Sequence, residues 1–496
     1  MNSKSRAMRR IAAGVGAVAL ALVGVGTFST AAFADVGPDQ PGAPAEGTLT
    51  INKYAGAPLG EGETLEDRDT LDGVEFTVTP VGRLDNGDCV AIDLTDAADW
   101  DGLGDLFASA PAAPTAPFCL LTADAVSDVT AGGTVDFTLD VGVYFAQETD
   151  PGENHIVSKV PDFYVSIPTS EGDGGEGWNY DVVADPKNQI MNEPTKTIAE
   201  MPDGLTIGSG VTWTLTVPVP TLNNEETFTT ASVSDVLDPR LSYASSSLTL
   251  DGAPLSEGPG GDYTVDPNGV TWTFTAAGRA KLDAAMGKSL SIELVTTVDE
   301  VGDGSIPNDE YSSTFNGTTV PGEQIPYTYW GQLSISKHDD SKPAKPLAGA
   351  EFQVFAEPQA GCPATAPATG AVATGTSNGS GTVVWEDVDP NTVLGLWVAN
   401  SPNGPLADPS KDYCVYETVV PAGHTATAVS NPVTITPGED GVFELDVVNK
   451  KKDGPDLPLT GAAGTLAMTI GGLAIIAAGA GAILVARRRQ TGDPAD

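Results

Sequence analysis

Val211-Thr212-Trp213-Thr214-Leu215-Thr216-Val217 alternates apolar and hydroxyl-bearing side chains without a break. Successive side chains of a strand point to opposite faces, so this stretch buries Val211, Trp213, Leu215 and Val217 and turns its threonines outward. Val and Thr also favour extended backbone, because a helix curtails their χ1 freedom. The same alternation recurs around Trp272 and Phe274 within Thr271–Thr275, at Leu49 and Ile51, and at Val74, Phe76 and Val78. It returns at Leu333 and Ile335 and again at Phe443, Leu445 and Val447. Turn formers separate the runs, drawn from 57 Gly and 38 Pro in 496 residues.

Short strands at close turn spacing imply an all-β chain of tandem immunoglobulin-like sandwiches. Only Asp96–Ala110 and Ala276–Leu290 read as containing helix. The length suggests about three domains, which we place at residues 48–188, 189–330 and 331–450. Residues 35–47, rich in Pro, Gly and Ala, read as a flexible leader.

The 24 basic and 67 acidic side chains give a net charge of −43. With no basic stripe, such a chain does not bind nucleic-acid phosphates. Its 40% hydrophobic content is more than an acidic disordered chain carries. His155, His338 and His424 form no metal spacing, so no metal or cofactor is expected. Gly172–Gly177 has dinucleotide-fingerprint spacing but is acidic and precedes no helix, and Gly375–Gly379 spells a nucleophile elbow without its strand-to-helix context. The chain lacks the makings of a turnover enzyme.

Lys4, Arg6, Arg9 and Arg10 precede an uncharged run from Ile11 to Phe28 and the exit Ala32-Phe33-Ala34, the layout of a secretory signal over residues 1–34. The exported chain meets an oxidising compartment. Its four Cys therefore point to two disulfides, since neither a CxxC nor a nearby His supports zinc.

Ala462–Ala486 carries no charge and is long enough to span a bilayer, and Arg487, Arg488 and Arg489 hold its end in the cytoplasm. Leu457-Pro458-Leu459-Thr460-Gly461 stands directly before it. This order resembles the sorting signal, here residues 451–496, of Gram-positive surface proteins read by sortases. The resemblance implies cleavage after Thr460 and transfer of its carbonyl to an amine, so that the span holds the precursor only transiently.

An internal repeat links the first and third segments. Leu49-Thr-Ile-Asn-Lys53 matches Leu333-Ser-Ile-Ser-Lys337, and Leu71–Phe76 matches Leu347–Phe352. Tyr144 leads to Glu148-Thr149 as Tyr413 leads to Glu417-Thr418, each followed by a Pro and Gly turn. The repeated modules resemble the collagen-adhesin B-type domains of Gram-positive pilins, with Glu-Thr as that family's E-box.

The resemblance implies a spontaneous isopeptide bond in each module, Lys337 to Asn449 with Glu417 and Lys53 to Asn188 with Glu148. Burial lowers a lysine pKa and frees the nucleophilic amine, and it keeps a Glu protonated to polarise the carboxamide. In the middle segment Lys196, Asp235 and Asn308 resemble the corresponding pilin triad, with Asn316 as a competing acceptor. Trp178, Val182, Pro186, Lys187 and Asn188 resemble the pilin motif, although Ala184 and Asp185 replace its usual Val and Tyr. The motif implies that Lys187 is the amine joined to Thr460 of another subunit. Accessibility to a sortase predicts that Lys187 is exposed while Lys53, Lys196 and Lys337 are buried. Within the modules, pairing Cys89 with Cys119 and Cys362 with Cys414 is the simplest connectivity. Closing the larger loop stabilises by roughly 4 kcal/mol on a loop-entropy model.

Together these resemblances imply a major shaft subunit of a pilus, or fimbria, polymerised by a class C sortase. The implied partners are the sortase, other copies of the chain, a tip or minor pilin, cell-wall peptidoglycan, and a surface receptor that the sequence does not name. The alternatives are a monomeric wall-anchored adhesin and a minor or basal pilin.

Overall fold

The structure, a computed structural model, describes residues 36–57, 64–65, 68–171, 177–223, 226–386 and 392–452. The expected signal peptide, the Leu457–Gly461 pentapeptide, the apolar span and the arginine tail lie outside the described residues. Among the described residues no helix is long and apolar enough to cross a membrane.

The chain is all-β and clusters into two compact units, the first built mainly from residues up to Tyr329 and the second mainly from Trp330 onward. In the first unit, Glu46–Asn52 runs between Asp181–Ala184, parallel to it, and Thr134–Asp140, antiparallel. A facing sheet is centred on Glu75–Asp85, paired with Gly142–Asp150. Leu49, Ile51, Phe76, Val78 and Phe137 meet between the layers, so the alternation on each strand sets the core.

The middle segment packs two five-stranded sheets. Gly210–Pro218 pairs with Ser289–Val298 in one, and Ala231–Val236 pairs with Glu310–Phe315 in the other. Val211, Trp213, Leu215 and Val217 are fully buried, the set that the alternation selects. The second unit holds Trp330–Asp339 of the strand Tyr327–Asp339, parallel to Gly438–Lys451. Its other sheet is centred on Glu351–Ala356 and Lys411–Val419.

Three expectations change in detail. The helix at Ala276 stops at Asp283, and residues from Ser289 form a strand; Gly287 turns the chain at φ 76° and Leu290, Ile292 and Leu294 then alternate inward. Among the described residues the last strand of the first segment, Lys187–Ile190, pairs only with first-segment strands and so extends past residue 188. The leader is held at its described start: the Tyr180 hydroxyl donates to the Val36 carbonyl, and Gly37 and Pro38 are buried.

Both repeated modules share one register. Asn188 lies opposite Ala55, two residues beyond Lys53, and Asn449 lies opposite Asp339, two residues beyond Lys337. Phe76 pairs with Glu148 and Phe352 with Glu417, each beside a register shift after the preceding Glu. Parallel pairing of first and last strands therefore delivers the same three side chains to each core.

Candidate crosslinking sites

In the first segment Lys53 Nζ lies 2.6 Å from Asn188 Oδ1 and 2.8 Å from Glu148 Oε2. Asn188 Nδ2 donates to both Glu148 oxygens, at 2.8 and 2.9 Å. The Val160 main-chain N–H donates to Asn188 Oδ1 at 2.7 Å. All three side chains are buried, with Phe76 beneath the ammonium at 5.5 Å. Burial pulls the Lys53 pKa down to about 8, against the attraction of Glu148. At pH 7 that raises the neutral fraction from about one amine in 3,000 to about one in ten.

In the middle segment Lys196 stands on the edge strand Thr195–Ile198 of one sheet and Asp235 on a strand of the other. Their charged atoms are 2.8 Å apart, and both side chains are fully buried. Asn308, also fully buried, reaches Asp235 Oδ2 at 3.5 Å through Nδ2, while its main-chain carbonyl accepts from Lys196 Nζ at 3.2 Å. The Tyr311 ring lies 4.3 Å from that ammonium. Burial lowers the Lys196 pKa and raises that of Asp235, the direction that moves a proton from amine to carboxylate. Asn316 is elsewhere: its Oδ1 accepts from the Thr229 N–H at an exposed Asn-Gly turn where its own φ is 49°.

In the second unit Asn449 Nδ2 donates to Glu417 Oε1 at 2.7 Å, and Lys337 Nζ is 4.0 Å from the same oxygen. Lys337 Nζ donates to the Val447 carbonyl at 3.0 Å. Burial lowers the Lys337 pKa and raises that of Glu417. Among the described residues, Glu417 Oε2 and Asn449 Oδ1 are buried without a hydrogen-bond partner, so Oε2 can carry a proton.

Lys187 follows Pro186 on the strand that carries Asn188. It is half-buried, not exposed as expected, because its ammonium turns back to the Asp185 carbonyl at 2.6 Å. The Asp185 carboxylate instead accepts from Asn52 Nδ2 at 3.0 Å. Burial lowers the Lys187 pKa overall; Asp185 pulls it up and Arg68 pushes it down. Cys89 is bridged to Cys119, and Cys362 to Cys414.

Glu75 and Glu351 also support the E-box, a role no motif in the sequence announces. Their carboxylates accept from the Thr149 and Thr418 hydroxyls at 2.6 and 2.7 Å. The available signal was the Glu shared by both repeats on an otherwise apolar alternation.

The LPXTG cell wall anchor motif matches residues 449–491. Across the chain, identity reaches 31% over 533 residues to "Fimbrial subunit type 2" of Actinomyces naeslundii, covering 97% of each protein. It belongs to the Gram-positive fimbrial subunits. "Fimbrial subunit type 1" of Actinomyces viscosus is 27% identical over 511 residues, covering 89% of this chain and 91% of that protein. The full-length major pilin SpaD from Corynebacterium diphtheriae superposes with a TM-score of 0.56 at 25% identity, covering 82% of this chain and 98% of that one. This fimbrial subunit is thus a cell-wall-anchored component of a surface pilus.

Proposed function

We propose that this fimbrial subunit is the shaft protein of a covalent pilus, polymerised by a sortase that joins Thr460 of one copy to Lys187 of the next. Internal Lys–Asn amide bonds tie each domain: Lys53 to Asn188, Lys196 to Asn308 and Lys337 to Asn449. The observation that carries this reading is the recurrence of a buried Lys, carboxyl and Asn constellation in every segment. Three dry ion pairs without further chemistry would each be costly, because an isolated buried pair seldom recovers its desolvation.

In each site a proton passes from ammonium to carboxylate. The neutral amine attacks the Asn Cγ, forming a C–N bond; the carboxyl group protonates Nδ2 as the old C–N bond breaks and ammonia leaves, and its carboxylate then takes up the proton shed by the attacking nitrogen. The product is an amide between the first and last strands in the outer modules; in the middle one it ties the edge strand Thr195–Ile198 to Asn308, in the link just before the strand Glu310–Phe315. A pulling force then meets covalent bonds before strand hydrogen bonds.

Wall extracts boiled in denaturant and immunoblotted test the polymer. A high-mass ladder is expected; a single discrete band would instead make the protein a monomeric wall-anchored adhesin.

A further inference from the structure

We infer that the Val160 main-chain N–H is an oxyanion donor for the Lys53–Asn188 reaction, and that Asn223 of the middle segment is a positioning residue that holds it. This rests on the crosslinking reading of the first segment. When Lys53 Nζ bonds to Asn188 Cγ, the carbonyl electron pair moves onto Oδ1. That oxygen already accepts the Val160 N–H at 2.7 Å. Glu148, already protonated by the Lys53 ammonium, gives that proton to departing Nδ2 and takes up the one shed by the attacking nitrogen, so amine and carboxamide become amide and ammonia.

The donor is peculiar to this site. Among the described residues, Asn308 Oδ1 and Asn449 Oδ1 are buried with no hydrogen-bond partner. Val160 lies just beyond Ile156–Ser158, the strand hydrogen-bonded to the one carrying Asn188. The middle segment grips this short run at several points. The Asn223 side chain donates to the Lys159 carbonyl at 3.0 Å, and the Asn223 main-chain N–H donates to Ser158 Oγ at 3.2 Å. Thr318 donates to the Ile156 carbonyl at 2.6 Å. Thr221 donates at 2.6 Å to Gln189, the neighbour of Asn188. The peptide unit bearing the Val160 N–H includes that same Lys159 carbonyl, so the bond from Asn223 fixes the plane in which the donor points. The first-segment bond therefore closes after the middle segment has docked, and it closes beside Lys187.

The full chain is made by cell-free synthesis, quenched at intervals and digested, and the Lys53–Asn188 and Lys337–Asn449 crosslinked peptides are quantified by mass spectrometry. Replacing Val160 by its α-hydroxy acid removes the N–H and keeps the side chain. It should slow the first bond by about 10²-fold, the usual effect of losing one such donor. Asn223→Asp, which keeps shape but removes the donated bond, should slow the same bond, and Asn223→Gln should restore part of the rate. The Lys337–Asn449 bond should form at its normal rate in every variant. The same substitutions in a Glu148→Gln background report folding without the reaction, so unchanged melting there separates positioning from general destabilisation. Normal first-bond kinetics in the ester variant would overturn the inference while leaving the crosslinking reading intact. Absence of the Lys53–Asn188 peptide from the unsubstituted protein would overturn both.

Discussion

Lys53 Nζ and Asn188 Oδ1 stand 2.6 Å apart although 135 residues separate them in the chain. The contact exists because parallel strands from the two ends of the segment are neighbours, and parallel pairing needs a long crossover. A bond there closes a loop around nearly the whole segment. The third module repeats the arrangement, whereas the middle site spans two sheets.

The intact mass of the secreted domains, disulfides reduced, should fall below the sequence value by one ammonia for each of the three bonds. A mass equal to the sequence value would falsify internal crosslinking.

Glu417→Gln keeps the shape of the E-box but removes the acid that serves Lys337. The Lys337–Asn449 bond should be lost and the other two should still form. On the chain-entropy argument a crosslink over about 100 residues stabilises by about 5 kcal/mol, so melting of this unit should drop by about 20 °C. Unchanged melting together with a retained bond would show that the carboxyl group is dispensable.

The rate of the first bond should fall as the pH is raised through about 8. The reactive state is the amine–carboxyl pair holding one proton between them, which is neutral amine plus neutral acid after transfer. Lys53 titrates near 8 because burial lowers it. Above about pH 8 the pair loses that shared proton, Glu148 has none to give Nδ2, and the rate should fall. A rate still climbing at pH 10 would mean that a free amine alone suffices.

In the middle segment Asn308→Ala should abolish the bond to Lys196, whereas Asn316→Gly should leave it. The second substitution suits the left-handed backbone of that turn, where Asn316 has φ 49° and Gly317 φ 90°. A crosslinked peptide containing residue 316 would reverse the assignment.

The strands were legible because the buried set of each is a strict period of two, as at Val211–Val217. The outer triads were legible because the repeat aligned Lys, Glu and Asn in two segments at once. The burial of Lys187 was not, since it depends on a main-chain carbonyl two residues back, which carries no side-chain signature. The Val160 donor escaped for the same reason: any residue type supplies an N–H. The helix end near Asp283 was misjudged because Ala-rich sequence continues to Met286 before Gly287 turns the chain.

The strongest test of the polymer concerns Lys187 itself. Its ammonium is tied to the Asp185 carbonyl, so it must swing free before it can meet the threonyl carbonyl held by a sortase. Burial already lowers its pKa, which eases the deprotonation that attack requires. Placement beside Asn188 lets the first-segment bond hold the strand while the amine moves. Lys187→Ala, and equally Lys187→Arg, should erase the high-mass ladder, because neither offers an amine of the right chemistry and reach. Monomer should stay attached to the wall through Thr460, since wall anchoring uses a different amine, and all three internal bonds should form. A full-length ladder from the Lys187→Ala strain would mean that another lysine is the acceptor.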